Sequence, residues 1–177
     1  MATYQSTNLR DRVATINQHW TPQHVLTLND SHSLKLATIS GPFIWHCHPD
    51  TDEMFYVVSG GPFKLELSTQ ASSPEEAESK GADEVVELKL GDVFSVPKGM
   101  QHRPVAAVPT GILMIEKVGT VNTGDREGDE RTVRVDEGRI NNFEQEETTQ
   151  RLDLHCKTVA KKMDNSSKKH FTFSQTV

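Results

Sequence analysis

The sequence predicts an all-β protein, a small antiparallel sandwich or barrel. Between residues 25 and 118 the chain is a series of short apolar or alternating runs, each closed by Gly, Pro, Asp or Asn, a cadence that suits strands joined by tight turns. Its 177 residues are enough for one domain of ordinary size with a real core. No segment repeats another, so a single barrel is expected and not two.

Residues 8–18 have loosely helical spacing with Asn8 as a cap, so residues 1–24 read as an N-terminal arm carrying a short flanking helix. Strands are expected at 25–28, 34–39, 43–48 and 53–58. They are separated by Asn29-Asp30-Ser31, Ser40-Gly41-Pro42 and Pro49-Asp50-Thr51-Asp52, residues that start turns cheaply. Ser59-Gly60-Gly61 leads into a strand at 63–67. Residues 68–84 (STQASSPEEAESKGADE) are polar and acidic and read as a long, solvent-exposed hairpin loop. Strands resume at 85–90 and 93–96 around Gly91-Asp92, and the last spans 112–118 after Gly111. The barrel domain is therefore expected over 25–124.

Residues 125–177 read as a charged, weakly ordered C-terminal extension, with 132–135 a candidate edge strand and 144–163 a marginal helix. Charge is uneven. Residues 1–124 hold 14 acidic and 9 basic side chains, net −5; residues 125–150 hold 9 and 4, net −5; residues 151–177 hold 2 and 6, net +4. A mildly acidic body leaves no electrostatic footprint for nucleic acid. Cys47 and Cys156, far apart in sequence, form no disulfide framework and suit a reducing compartment. With no leader-like apolar run at the start and no apolar stretch near the ~18 residues a span needs, the expected location is cytoplasmic and away from membranes.

The chemistry concentrates in residues 41–60, GPFIWHCHPDTDEMFYVVSG. In a strand, residues i and i+2 share a face, so His46 and His48 are expected side by side with Cys47 turned away. Glu53, opening the next strand, can fold back beside them. Two imidazoles and a carboxylate on neighbouring strands are convergent ligands for a divalent transition metal. By the same parity Ile44, Phe55 and Val57 line the pocket, while Phe43 and Trp45 pack the outside of the sheet or a dimer contact. Arg103 stands at the rim, and His19, His24, His32, His155 and His170 read as surface histidines.

These residues make the chain resemble the cupin superfamily over roughly residues 25–120. Gly41, His46, His48, Glu53 and Gly60 match its first motif, with four residues in place of five between Gly41 and His46. Gly91, Pro97, Gly99 and His102 match the second, with Ala106 where an Asn is usual. The runs from Trp45 to Val57 and GTVNTGD at 119–125 look most like the small single-domain cupins. The resemblance implies a single jelly-roll β-barrel and a homodimer. It also implies one divalent transition metal (Fe, Mn, Ni, Zn, Co or Cu) held by His46, His48, Glu53 and His102. Three imidazoles and one carboxylate leave two open positions on a six-coordinate ion, where a small-molecule substrate would bind.

Three functions follow as expectations. The first is a metal-dependent dioxygenase or other oxidoreductase acting on a small organic metabolite, its apolar lining limiting side reactions. The second is a redox-neutral isomerase, cyclase or lyase using the ion as a Lewis acid, with Glu53 the base if it is not a ligand. The third is a binding module without chemistry.

Overall fold

The computed structural model describes residues 6–126 and 128–135. Its elements are α1 (Leu9–Val13), β1 (Gln23–Leu28), β2 (His32–Pro42), β3 (Glu53–Ser59), β4 (Phe63–Ser68), α2 (Pro74–Lys80), β5 (Glu84–Leu88), β6 (Val93–Val96) and β7 (Gln101–Lys117). The all-β expectation holds: every strand pairing is antiparallel. The strands run in the order β1-β2-β7-β3-β6, with β4 paired to β7 and β5. The sheet does not close on itself, and the arrangement is a jelly-roll sandwich.

The fold turns on β7. Residues 101–105 pair with β4, and residues 111–115 pair with β2 and β3. The change of partners falls at Ala107–Pro109, which is exposed. Pro104 and Gly111 make this stretch look broken in the sequence, yet it is one 17-residue strand. Alternation along β2, β3 and β7 sends Ala37, Ile39, Phe55, Val57, Ile112 and Met114 into the space between the sheet layers. Their neighbours Leu36, Val58 and Leu113 face outward and are covered by Val13 and Ile16 from the N-terminal arm. The helix there is only five residues, with Asn8 Oδ1 accepting from the N–H groups of Arg10 and Asp11.

Several expectations are corrected. Ser40-Gly41-Pro42 is not a turn; β2 runs on to Pro42 with a register shift after Ile39, because Gly41 at φ +75° lets the strand bulge. Residues 43–48 are not a strand; their one ladder-type pairing among the described residues is an isolated bridge, His46 to His102. The loop over 68–84 contains α2. Ser73 caps it, Pro74 opens it, Glu76 accepts from the backbone and hydroxyl of Ser72, and Lys80 pairs with Glu76 one turn on. Only Pro74 and Ala77 of that helix are buried, so it shows no apolar stripe in the sequence. Residues 132–135 form no strand. The marginal helix at 144–163, Cys156, His155 and His170 lie outside the described residues. Among the described residues no helix is long and apolar enough to cross a membrane.

Candidate metal centre

The segment carrying His46 and His48 is irregular, and the backbone fixes it at three points. Phe43 N–H donates to Pro104 O (2.9 Å), His46 and His102 exchange N–H···O bonds of 3.1 and 2.9 Å, and Gly99 N–H donates to His48 O (2.9 Å). Asp52 Oδ1 accepts from Lys98 N–H (2.9 Å). The Pro97–Gly99 turn is thereby stitched to the turn before β3, with Gly99 at φ +78°. His102 then enters as the second residue of β7, and Glu53 as the first of β3.

His46, His48, Glu53 and His102 converge, each offering one ligand atom, all within 4.8 Å of one another. All four side chains are buried. Glu53 Oε2 lies 3.0 Å from His102 Nε2 and 3.2 Å from His48 Nε2. Donors about 2.1 Å from one ion, on adjacent coordination positions, stand about 3.0 Å apart. The spacing is that of a ligand set.

Hydrogen bonding sets the tautomers in the same sense. His46 Nδ1–H donates to Ile44 O (3.0 Å) and His102 Nδ1–H to Met100 O (2.9 Å), which leaves their Nε2 lone pairs facing inward. A neutral His102 with its proton on Nδ1 would bring a lone pair against a carboxylate oxygen, a contact that a cation between them resolves. His48 Nε2 is buried, 3.2 Å from Glu53 Oε2, and has no hydrogen-bond partner of good geometry among the described residues. These donors fit a divalent transition ion.

Burial, then the neighbouring imidazoles of His102 and His48, drives the His46 pKa well below its usual value. Burial also opposes protonation of His48, but the charges of Glu53, Glu116 and Asp125 outweigh it and the net shift is upward. At Glu53, burial favours the neutral acid, yet His48 and His102 win and hold the carboxyl well below the usual range. Glu53 is therefore a standing carboxylate.

His46 and Glu53 open onto a cavity with room for about two waters, roughly 30 Å³ against the ~10–15 Å³ one water needs. Ala37, Ile39, Phe43, Phe55, Ile112 and Met114 make its apolar wall. Phe55 stands where the sequence reading put it, while Val57 is core, fully buried behind the wall. Ile44 is corrected: because 43–48 is not a strand, Phe43 faces the cavity, stacked on Trp20 (4.7 Å) and edge-on to His46 (5.4 Å). Ile44 contributes its carbonyl instead. Arg103 is not at the cavity rim; it pairs with Glu66 on β4 and lies over the Trp45 ring at 5.0 Å.

Sequence reasoning missed Asp125, Lys35 and Glu116. Asp125 accepts from Cys47 N–H (2.8 Å), the Cys47 thiol (3.3 Å) and Gln101 Nε2 (3.0 Å), tying both histidine segments together. Burial, then Asp125, pushes the Cys47 thiol up to about 12. Lys35 and Glu116, a buried pair at 2.9 Å, line the cavity, where burial, then the Glu53 charge, pushes the Glu116 carboxyl up to about 7. Parity was the available signal for both: Lys35 alternates with Ala37 and Ile39, and Glu116 with Met114 and Ile112.

No family profile matches the sequence. A solved cupin-2 domain protein from Shewanella frigidimarina is 32% identical, matches 63% of this chain and 93% of its own, and superposes with a TM-score of 0.50. The chain belongs to the cupin-2 family. The Bacillus subtilis protein YdbB is 36% identical over 89 residues, which are 50% of this chain and 66% of that one. A hydroquinone 1,2-dioxygenase from Sphingomonas shares the cupin fold at 15% identity and TM-score 0.52, matching 63% of this chain and 32% of its own.

Proposed function

We propose that this cupin is a metal-dependent enzyme for a small organic metabolite, and that its first activity is that of a non-haem dioxygenase or related oxidoreductase. The carrying observation is the meeting of His46, His48, Glu53 and His102 at one buried point on an apolar cavity. A divalent transition ion held there supplies redox or Lewis-acid chemistry. The chain's own residues do the rest. Ile44 O and Met100 O orient His46 and His102, and Phe43, Phe55 and Met114 keep bulk water from the reacting groups. The depressed proton affinity of Glu53 supports a ligand over a general base. The assignment to a dioxygenase rests further on fold-level likeness, which is analogy.

A redox-neutral isomerase, cyclase or lyase is the second reading. Lys35 and Glu116 favour it, since they place acid–base groups in the cavity outside the ligand set. Protein purified without chelator is expected to carry one transition-metal ion per chain, and His46→Ala and His102→Ala to lose it with circular dichroism unchanged. Oxygen uptake by the loaded protein on addition of a substrate supports the first reading, and anaerobic turnover the second. Full metal occupancy in both variants would overturn the ligand assignment.

A further inference from the structure

Lys35 and Glu116 are 1% and 3% exposed and line the cavity that His46 and Glu53 face. Lys35 Nζ donates to Glu116 Oε1 (2.9 Å) and to Thr120 O (2.8 Å). Glu116 Oε2 is buried and has no hydrogen-bond partner among the described residues. A pair kept only to hold strands together would satisfy both oxygens, because a buried carboxylate oxygen without a donor is costly. The register explains the position. Met54 pairs with Ile115, so Glu53 and Glu116 stand side by side on the inner face of β3 and β7; on β2 the direct partner of Glu116 is Ser33, and Lys35 reaches it from the diagonal position. The polar groups thus form a row at one end, and the wall beyond is apolar.

We propose that Glu116 is the second anchor of the ligand: its Oε2 accepts the hydroxyl hydrogen of a small, flat compound with an apolar body and two neighbouring oxygens. The other oxygen faces the His46–His48–Glu53–His102 centre, so the inference rests on the metal reading above. Lys35 is a positioning residue that holds the carboxylate through Oε1. The cavity as it stands holds about two waters, so a ligand of one ring enters only where the rim yields. Trp20, Asn122 and Val135, the half-buried lining residues at that rim, are the ones to move.

The test uses the full chain loaded with redox-inert Zn²⁺ at about pH 8.5, above the raised Glu116 pKa so that Oε2 accepts, and two probes, catechol and its monomethyl ether guaiacol. Binding is read from quenching of Trp20, which lines the cavity, whereas the other tryptophan, Trp45, lies under Arg103 outside it. Zinc content is measured in every sample. Wild type is expected to prefer catechol by about tenfold or more, because the ether has no hydrogen for Oε2 and leaves it desolvated. In Glu116→Gln the amide donates to the ether oxygen and the preference falls within about threefold. Should that variant fail to fold, Lys35→Met/Glu116→Gln, which removes both charges of the pair, is expected to lose the preference in the same way. An unchanged catechol preference in Glu116→Gln at full zinc content overturns the anchor, as does the lack of any saturable Trp20 response to catechol in wild type. If wild type retains no zinc, the metal reading fails on its own. The anchor is then judged by the same ratio in zinc-free protein.

Discussion

Asp125→Ala tests whether the candidate metal centre is held from outside its four proposed ligands. Asp125 Oδ1 takes the Cys47 N–H between the two histidines (2.8 Å), and Oδ2 takes Gln101 Nε2 (3.0 Å), next to His102. Its own N–H donates to Cys47 O (2.9 Å), which keeps the loop in place in either variant. The alanine variant leaves a buried backbone N–H and an amide without acceptors. Hydrogen bonds to a charged group contribute about 1.5–3 kcal/mol each, and relief of the carboxylate's desolvation returns part of that, so a net loss of about 2–4 kcal/mol is expected. Loss of such outer support costs about 10–100-fold in metal affinity. Urea unfolding of metal-free protein reads the first quantity, and chelator competition for Zn²⁺ the second. Asp125→Asn, which keeps the Oδ1 acceptor for Cys47 N–H, should fall between. An alanine variant with wild-type zinc affinity would refute the reasoning even if stability dropped, because the loop would then be structural alone.

The remaining predictions concern the same neighbourhood. Gly124 sits at φ +52°, and a Cβ there would stand 2.1 Å from Cys47 O; Gly124→Ala should cost about 2–4 kcal/mol in urea unfolding through backbone strain and a forced shift, and a neutral result would mean the loop is not packed on Cys47. With its thiol at about 12, Cys47 is almost wholly protonated at pH 8, so peptide mapping should find it alkylated at least ~100-fold more slowly than in unfolded protein. Fast labelling of the folded chain would contradict the burial. Phe43→Ala should destabilise by about 3–5 kcal/mol and Ile44→Ala by under about 1.5 kcal/mol, an order that equal losses or a reversal would overturn.

The sequence carried the strand cadence and the four converging side chains because both depend on local rules: alternation, turn chemistry and ligand spacing. It misplaced what depends on departure from those rules. The HxH pair was read through strand parity, yet residues 43–48 leave the sheet, and the two imidazoles sit nearly perpendicular, 5.1 Å apart. Backbone bonds to His102, Gly99 and Pro104 aim them instead, and such long-range contacts have no signature in a window of ten residues. Phe43 therefore replaced Ile44 at the cavity. Helix α2 was hidden for the opposite reason, since its stability is in capping and an i,i+4 pair and not in a buried stripe. Asp125 lay just past the last strand, where polarity reads as solvent exposure.

Lys35 and Glu116 were legible but unread, and they bear most on function. Lys35 precedes the core positions Ala37 and Ile39 in alternation and Glu116 follows Ile112 and Met114, so alternation alone puts a charge inside. The resulting row of Lys35, Glu116 and Glu53 crosses three adjacent strands with two carboxylates side by side, an arrangement that like-charge repulsion disfavours. Lys35 neutralises one of them. The other faces His46, held neutral by burial, and His102, whose Nδ1–H is committed to Met100 O. His48 leans toward protonation because of Glu53 itself. Buried charge of one sign needs a counter-charge at short range. A cation at the point where the four candidate ligand atoms meet fits that need, and the Glu116 oxygen without a partner among the described residues is where the anchor proposed above would act.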